Sequence, residues 1–150
     1  GLIGEIIKRF ELRGLKVVGL KMVWTSKEFA MKHYTEDIEK RHGKHVRESQ
    51  VEFITQGPIV ALCIEGHEAV KAVRKIVGTT YPDESPVGTI RGDFVHINKD
   101  YLREERNKNK ACHNLVHASG TKDEAVQEIK LWFDKKELFS YQTSYEKHIF

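Results

Sequence analysis

The residues best equipped for chemistry lie near the end of the chain. In Asn114-Leu115-Val116-His117-Ala118-Ser119 an imidazole stands just before a predicted helix start, and Glu128 follows eleven residues later. Glu128 falls at the edge of that helix's apolar face, beside Ile129, Trp132 and Phe133. A histidine prepared in this way can act as a nucleophile toward a phosphoryl group. The carboxylate can fix the ring tautomer and stabilise positive charge on it. Ser119 and Thr121 lie in the turn that opens the helix, where they can cap it or donate to an anionic oxygen. The free amides of a helix N-terminus also favour phosphate. Taken singly, His117 beside Leu115 and Val116 reads more often as a structural histidine, and Glu128 by default as a solvated helix glutamate.

A second set of groups lies upstream. Arg74 is near the end of a predicted helix, Thr80 is in the long loop after it, and Arg91 closes that loop in Thr89-Ile90-Arg91-Gly92-Asp93. Two guanidinium groups converging on one pocket suit a polyphosphate, because the planar fork binds phosphate oxygens bidentately. The alternative is a pair of surface arginines holding the loop through ion pairs, with Asp93 the obvious partner of Arg91. Other constellations carry less. His113 and His117 stand four apart and His42 and His45 three apart, and neither pair comes with the further ligands of a zinc site. No Gly-x-x-x-x-Gly-Lys-Ser/Thr string occurs, so any nucleotide is held by another architecture. The basic tract from Arg103 to Lys110 has only Tyr101 as a neighbouring aromatic, which favours a solvated loop over a nucleic-acid surface.

These groups need a frame. Leu2, Ile3, Ile6, Ile7 and Phe10 repeat at helical spacing and predict a helix from Leu2 to Arg13, stopped by Gly14. It opens without a capping residue, which suggests an element ahead of it. Leu15 to Trp24 reads as a strand, and Ser26 can cap a second helix carrying Phe29 and Ala30. Residues 35 to 50 are highly charged and read as an exposed hairpin or loop, with Val51 to Ile54 closing another short helix. After the Gly57-Pro58 turn, Ile59 to Ile64 is a short apolar strand, and Glu68 to Val77 is helical. The loop from Gly78 to about Gly92 holds Pro82, Pro86 and Gly88; it is irregular, locally stiff and of a length that is often functional. Phe94 to Ile97 reads as a last strand, Lys99 to Lys110 as a solvated polar run, and a final helix begins near Thr121. The tail keeps Leu138, Phe139, Tyr141, Tyr145 and Phe150 and is expected to pack on the body or on a neighbouring subunit.

With no internal repeat and no linker, residues 1–150 read as one domain. One strand added at the front would complete a split βαβ arrangement. The expected class is therefore α+β: a ferredoxin-like α/β sandwich, its antiparallel sheet covered by helices, with the first strand absent from this chain.

The 150 residues are 39% hydrophobic and 31% charged, an ordinary balance for a domain with a real core. A net charge of +3 is too mild to argue for nucleic acid and fits a local basic pocket for an anionic ligand. The only cysteines are Cys63, in an apolar run, and Cys112; no disulfide framework is implied, which points to a reducing, cytoplasmic setting. No apolar run approaches membrane-spanning length, and neither a signal peptide nor a glycosylation sequon is present.

Several separated motifs, in order, resemble the nucleoside diphosphate kinases. They are Gly1-Leu2-Ile3-Gly4-Glu5-Ile6-Ile7-Lys8-Arg9-Phe10-Glu11, Gly14-Leu15-Lys16-Val17-Val18, His33-Tyr34, Gly57-Pro58, Pro86 with Gly88-Thr89-Ile90-Arg91-Gly92-Asp93-Phe94, and the His117 segment. The resemblance implies a ping-pong phosphotransferase of nucleotide metabolism: a nucleoside triphosphate such as ATP phosphorylates the histidine, and a nucleoside diphosphate takes the phosphoryl group back. It implies that His117 is the phosphorylated residue, with Ser119 and Glu128 supporting it and Tyr34 beside it. Arg74, Thr80, Arg91 and Asn114 match positions that hold the phosphates and sugar. Magnesium (Mg2+) is implied as the bridge between phosphates, and a homo-oligomer, tetramer or hexamer, as the assembly.

The chain also departs from the family pattern. The family places a strand with a Lys-Pro-Asp motif ahead of the first helix, and no counterpart is found here. Val46 and Gln50 stand nearest the positions that usually grip the base, Gly120 stands where an aspartate is common, and the polar run 99–110 is longer than typical. A catalytically silent nucleotide-binding or assembly module of the same fold is the alternative from another class. A nucleic-acid binder using the basic tract is a third, and it would show steep salt dependence.

Overall fold

Tertiary contacts, more than local propensity, decide where the elements of this chain stop. The computed structural model describes residues 1–97, 100, 101, 104, 111–144 and 146. Of the polar run 99–110 only three residues are therefore described, and the basic tract beyond Glu104 lies outside the described residues, as do Tyr145 and Phe150 of the tail. Helix α1 covers Ile3–Glu11 and is followed by β1, Lys16–Val23. Helices α2 (Lys27–His33), α3 (Glu36–His42) and α4 (Lys44–Thr55) lead to β2 at Ile59–Glu65. Helix α5 is Ala69–Val77, α6 is Ile90–Phe94 and α7 is Lys122–Trp132, with single 3-10 turns at Pro82–Glu84 and Lys135–Glu137.

Strands β1 and β2 pair antiparallel, from Lys16 opposite Glu65 to Val23 opposite Ile59, with an irregularity between Val17 and Gly19. Side chains of β2 alternate between faces, as the pleat requires. Leu62 and Ile64 pack with Phe10, Leu15, Val77 and Ile90, so α1, α5 and α6 cover one face. Ala61 and Cys63 pack with Val18, Phe133, Ile129 and Trp132, so α7 covers the other. The result is the expected α+β architecture, an antiparallel sheet clothed by helices.

Three expectations need correction. Residues 35–50 are not an open loop: they form α3 and most of α4, split at Gly43, whose φ of +95° suits glycine. The charges that suggested a loop pair along helix faces instead, Arg41 with Asp37 and Lys44 with Glu48 at i,i+4 spacing. A small core of Ala30, Tyr34 and Val51 holds this helical arm to α2. The strand expected at Phe94 to Ile97 does not form. Thr89 caps α6 by accepting from the Gly92 amide at 3.1 Å, and Phe94 closes that helix against the first core. The loop from Gly78 to Gly92 is shorter and more ordered than its sequence suggests, because the Pro82–Glu84 turn and the start of α6 lie within it.

The tail runs along β1, as its aromatic residues suggested. The Phe139 amide donates to the Val18 carbonyl at 2.8 Å, and the Tyr141 hydroxyl donates to the Val17 carbonyl at 2.7 Å. Lys16, nearly buried, donates to the Tyr141 carbonyl and pairs with Glu65 and Glu146.

On its other side β2 has no strand partner among the described residues. A cleft of about 830 Å³ opens there, floored by Ile59 to Ile64 and walled by Ile6, Phe10 and Val73, with Leu115 to Ser119 opposite. That segment runs straight into the Thr121 cap of α7, where the Thr121 hydroxyl accepts from the Glu124 amide at 3.1 Å. The cleft thus leads to His117.

Candidate active site

His117 projects from the end of an extended segment, and Glu128 rises from the second turn of α7 to meet it. His117 Nε2 lies 3.2 Å from Glu128 Oε1, and the Ser119 hydroxyl donates to Glu128 Oε2. The histidine side chain is 49% exposed while the glutamate is only 16% exposed. A carboxylate facing Nε2 holds the ring proton on that nitrogen. Nδ1 then keeps its lone pair, and it has no hydrogen bond among the described residues. Burial pushes the Glu128 carboxyl up, but the hydrogen bonds from His117 and Ser119 outweigh it and keep the group below its ordinary range. The glutamate therefore stays ionised beneath the imidazole, ready to balance charge on the ring.

His33 and Tyr34, from the end of α2, form the back wall. The His33 ring is edge-on to His117 with centroids 5.0 Å apart, and Tyr34 is edge-on to His117 at 6.2 Å. The Trp132 indole donates to His33 Nδ1 at 3.2 Å. Burial, reinforced by the neighbouring His117 and opposed by Glu128, lowers the His33 imidazole to about 4, so it is neutral near pH 7. A neutral ring whose Nδ1 accepts from an indole has a lone pair there, so its 3.4 Å approach to Glu128 Oε1 is a contact and not a hydrogen bond. Burial and the negative charge of Glu128 push the Tyr34 phenol up to about 12.

The second set of groups also converges. Arg91 is almost fully buried and donates from Nη1 to the Thr79 carbonyl and from Nη2 to the Val116 carbonyl, each at 2.7 Å. It thereby clamps the loop after α5 onto the strand-like segment that carries His117. Burial lowers its pKa, and the nearby Arg74 charge adds to that. The alternative pairing with Asp93 is not formed: Asp93 pairs with Arg9 at 2.7 Å and accepts from the Gly88 amide. Asn114 donates from Nδ2 to the Thr80 carbonyl at 2.8 Å, which fixes the amide while the Thr80 side chain stays exposed. Arg91 Nε and Asn114 Oδ1 are buried and have no hydrogen-bond partner among the described residues. Arg74 is exposed at the last turn of α5, and one of its terminal nitrogens would stand 3.9 Å from a Cβ placed on Gly120. Six of the eight residues singled out from the sequence, Tyr34, Arg91, Asn114, His117, Ser119 and Glu128, line the cleft; Arg74 and Thr80 are not part of its lining, Thr80 meeting Asn114 through its carbonyl.

Gly120 has a local explanation. Its amide donates to Glu124 Oε2 at 2.7 Å, and a Cβ at this position would stand 2.8 Å from that oxygen. A carboxylate from the following helix sits where a side chain at 120 would begin. The arm formed by α3 and α4 is pinned as well. Gln50 donates to the Cys112 carbonyl at 3.3 Å, Ser49 bonds the His113 ring and the Ala111 amide, and Phe53 stacks on His113 at 4.1 Å.

Sequence reasoning gave His33 no role of its own, although it shares the site with His117 and Glu128. The signal was available: Phe29 and His33 lie four apart on α2, and both reach Trp132.

The family model described as nucleoside diphosphate kinase matches residues 1–138. The chain belongs to the nucleoside diphosphate kinase family. It is 50% identical over 141 residues to the nucleoside diphosphate kinase of Pyrococcus abyssi, covering 94% of this chain and 80% of that protein. It is 43% identical over 138 residues to that of Saccharolobus islandicus, covering 92% and 88%. Among solved structures, the nucleoside diphosphate kinase of Borrelia burgdorferi, a transition-state mimic with bound vanadate and ADP, superposes with a TM-score of 0.92 at 38% identity. That match covers 99% of this chain and 87% of that one. The halophilic enzyme of Halobacterium salinarum in complex with CDP gives a TM-score of 0.80 at 34% identity, covering 100% and 89%. The chain is thus a phosphotransferase of this family.

Proposed function

We propose that this chain moves the terminal phosphoryl group of a nucleoside triphosphate to a nucleoside diphosphate through a phosphate carried on His117 Nδ1. The observation that carries the reading is the exposed ring whose Nε2 is held by a buried, ionised Glu128, leaving Nδ1 bare at the mouth of the cleft. The Nδ1 lone pair forms the N–P bond as the bond from phosphorus to the bridging oxygen breaks, and the diphosphate leaves with that electron pair. The proton stays on Nε2, and Glu128 offsets the positive charge that the ring acquires. A second nucleoside diphosphate then attacks the phosphohistidine and reverses the sequence. Ser119 fixes the carboxylate, Tyr34 walls the ring, and Arg74, Thr80, Arg91 and Asn114 hold phosphates and sugar.

Magnesium fits this donor set as an ion that arrives with the nucleotide. Among the described residues the cradle offers guanidiniums, a hydroxyl and an amide, while Asp93 and Glu128 are engaged elsewhere. Magnesium favours phosphate oxygens and water over imidazole and would neutralise charge on the phosphates.

Glu128→Ala is expected to lower kcat by about 10²-fold with little change in nucleotide affinity, because it removes ring orientation and charge balance and leaves the cradle intact. Steady-state exchange and equilibrium binding check this; an unchanged kcat would remove Glu128 from the mechanism. A second reading, a silent nucleotide-binding module, draws on Gln50, which ties α4 to the Cys112 carbonyl beside the cradle. Binding of nucleotide with no exchange would favour it.

The single domain of residues 1–150 is inferred to take a further strand, supplied from ahead of Gly1, in the cleft between β2 and Leu115 to Ser119. The support is an apolar slot flanked by a strand edge on one side and an extended segment on the other. In a longer chain carrying those residues, the amides on the outer edge of β2 should become protected from hydrogen exchange; unchanged protection would argue against the inserted strand.

Self-association into a tetramer or hexamer is supported by the exposed Leu20 and Met22 of β1 and Trp24 just past its end, with the exposed Phe139 in the tail that runs along the same strand. Leu20→Glu with Met22→Glu is expected to lower the mass seen in sedimentation, and an unchanged mass would move the interface elsewhere. Cys63 and Cys112 are free thiols, which fits a cytoplasmic setting, and no helix among the described residues is long and apolar enough to cross a membrane.

A further inference from the structure

We propose that His33, His117 and Glu128 form a binding site for a zinc ion, and that the ion disables His117 as a nucleophile; the second part rests on the phosphohistidine reading. Three donor atoms, one from each residue, lie within 4.8 Å of one another, and no other group of three such side chains is found among the described residues. Glu128 Oε1 is 3.2 Å from His117 Nε2 and 3.4 Å from His33 Nδ1. Donors bound about 2.0–2.1 Å from a tetrahedral zinc ion stand roughly 3.3–3.4 Å apart, the edge of that tetrahedron. Two of the three edges are therefore already close to zinc geometry, and only the two imidazoles need to draw closer. Two imidazole nitrogens and one carboxylate oxygen form a set that suits zinc and does not suit magnesium.

The burial is graded in a useful way. His33 and Glu128 are largely covered, at 5% and 16% side-chain exposure, whereas His117 is open to solvent. The protein thus offers two fixed ligands and one accessible ligand, with room for a water or phosphate oxygen in the fourth position. Ser119 already orients the carboxylate through its other oxygen. One contact must be surrendered, the Trp132 indole hydrogen bond to His33 Nδ1.

The consequence for chemistry follows from proton counting. A neutral imidazole carries one proton, which in the free site sits on His117 Nε2. Zinc bound at Nε2 takes the lone pair on that nitrogen, so the proton resides on Nδ1. No lone pair remains there to attack phosphorus, and Glu128 is diverted to the metal. No electron transfer is involved, and removing the ion restores the original tautomer.

Cobalt(II) is the spectroscopic probe. Titration of the whole chain with cobalt should produce the visible absorption of a four-coordinate ion at one equivalent, and zinc should displace it. His33→Gln should raise the cobalt dissociation constant at least tenfold, while His42→Ala with His45→Ala should leave the spectrum intact. Because His33→Gln also removes the partner of the Trp132 indole, the unaltered chain supplies a second reading: zinc should shift the Trp132 indole N–H resonance as that bond is released. One equivalent of zinc should also block phosphate uptake from ATP, with recovery on chelation. A six-coordinate cobalt spectrum, or a four-coordinate one indifferent to His33→Gln, would overturn the site. A four-coordinate band that needs His33, in a chain that takes up no phosphate even without metal, would uphold the metal site and count against the phosphohistidine instead.

Discussion

His117→Ala is expected to abolish acid-labile phosphate on the protein after incubation with labelled ATP, and to reduce exchange by at least about 10⁴-fold, the scale on which loss of a covalent nucleophile is felt. The expectation rests on the absence of a substitute nearby among the described residues. His33 is neutral, but its ring is buried and its Nδ1 is occupied by the Trp132 indole. Cys112 lies in the cleft, but burial pushes its thiol up and away from the reactive thiolate. Glu128 sits beneath the ring with both oxygens engaged. The cradle is untouched by the substitution, so nucleotide binding should persist while turnover vanishes. Full phosphotransfer in the mutant would end the account.

Arg91→Ala is expected to damage both stability and activity, and Arg91→Lys to rescue neither fully. The guanidinium spans two carbonyls that belong to different segments, Thr79 and Val116, and it is buried among them. Truncation leaves the part-buried Val116 carbonyl without its Arg91 donor and the Thr79 carbonyl with only the Ser85 hydroxyl at 3.4 Å, at a cost of about 2 kcal/mol. It also frees the loop carrying Thr80 from the segment that aims His117, so kcat/KM should fall by at least about 10²-fold. A lysine ammonium is a point donor and lacks the fork needed to reach both carbonyls in this geometry. Urea unfolding and steady-state exchange, measured on both variants, separate the two effects. A variant as stable and as active as the parent would show that the clamp has no functional role.

The parts of this site that were legible in the sequence are those set by local rules. Ser26 and Thr121 announced their helices through capping chemistry, and both side chains do accept the expected amides. The eleven-residue spacing from His117 to Glu128 could be read because the intervening cap and helix turn leave little freedom. The parts that were not legible depend on distant partners. Phe94 to Ile97 has the composition of a strand, but Thr89 starts a helix just ahead and the core takes Phe94 as its last residue. The charged stretch 35–50 folds as helices because its opposite charges happen to fall one turn apart and Val51 and Tyr34 supply a core beneath them. Asp93 follows Arg91 by two residues, yet its partner is Arg9 from the first helix, and no pattern in the loop could reveal that. His33 became part of the site only once α2 was laid against α7.

The most direct measurement of the central claim is a chase on isolated phosphoprotein. The chain is incubated with labelled ATP, freed of nucleotide, examined by 31P NMR, and then mixed with unlabelled nucleoside diphosphate. The account predicts a single phosphoramidate on His117 Nδ1 that passes to the diphosphate and leaves the protein unlabelled. A phosphate found on another residue or on Nε2, or one that the diphosphate cannot remove, would contradict it.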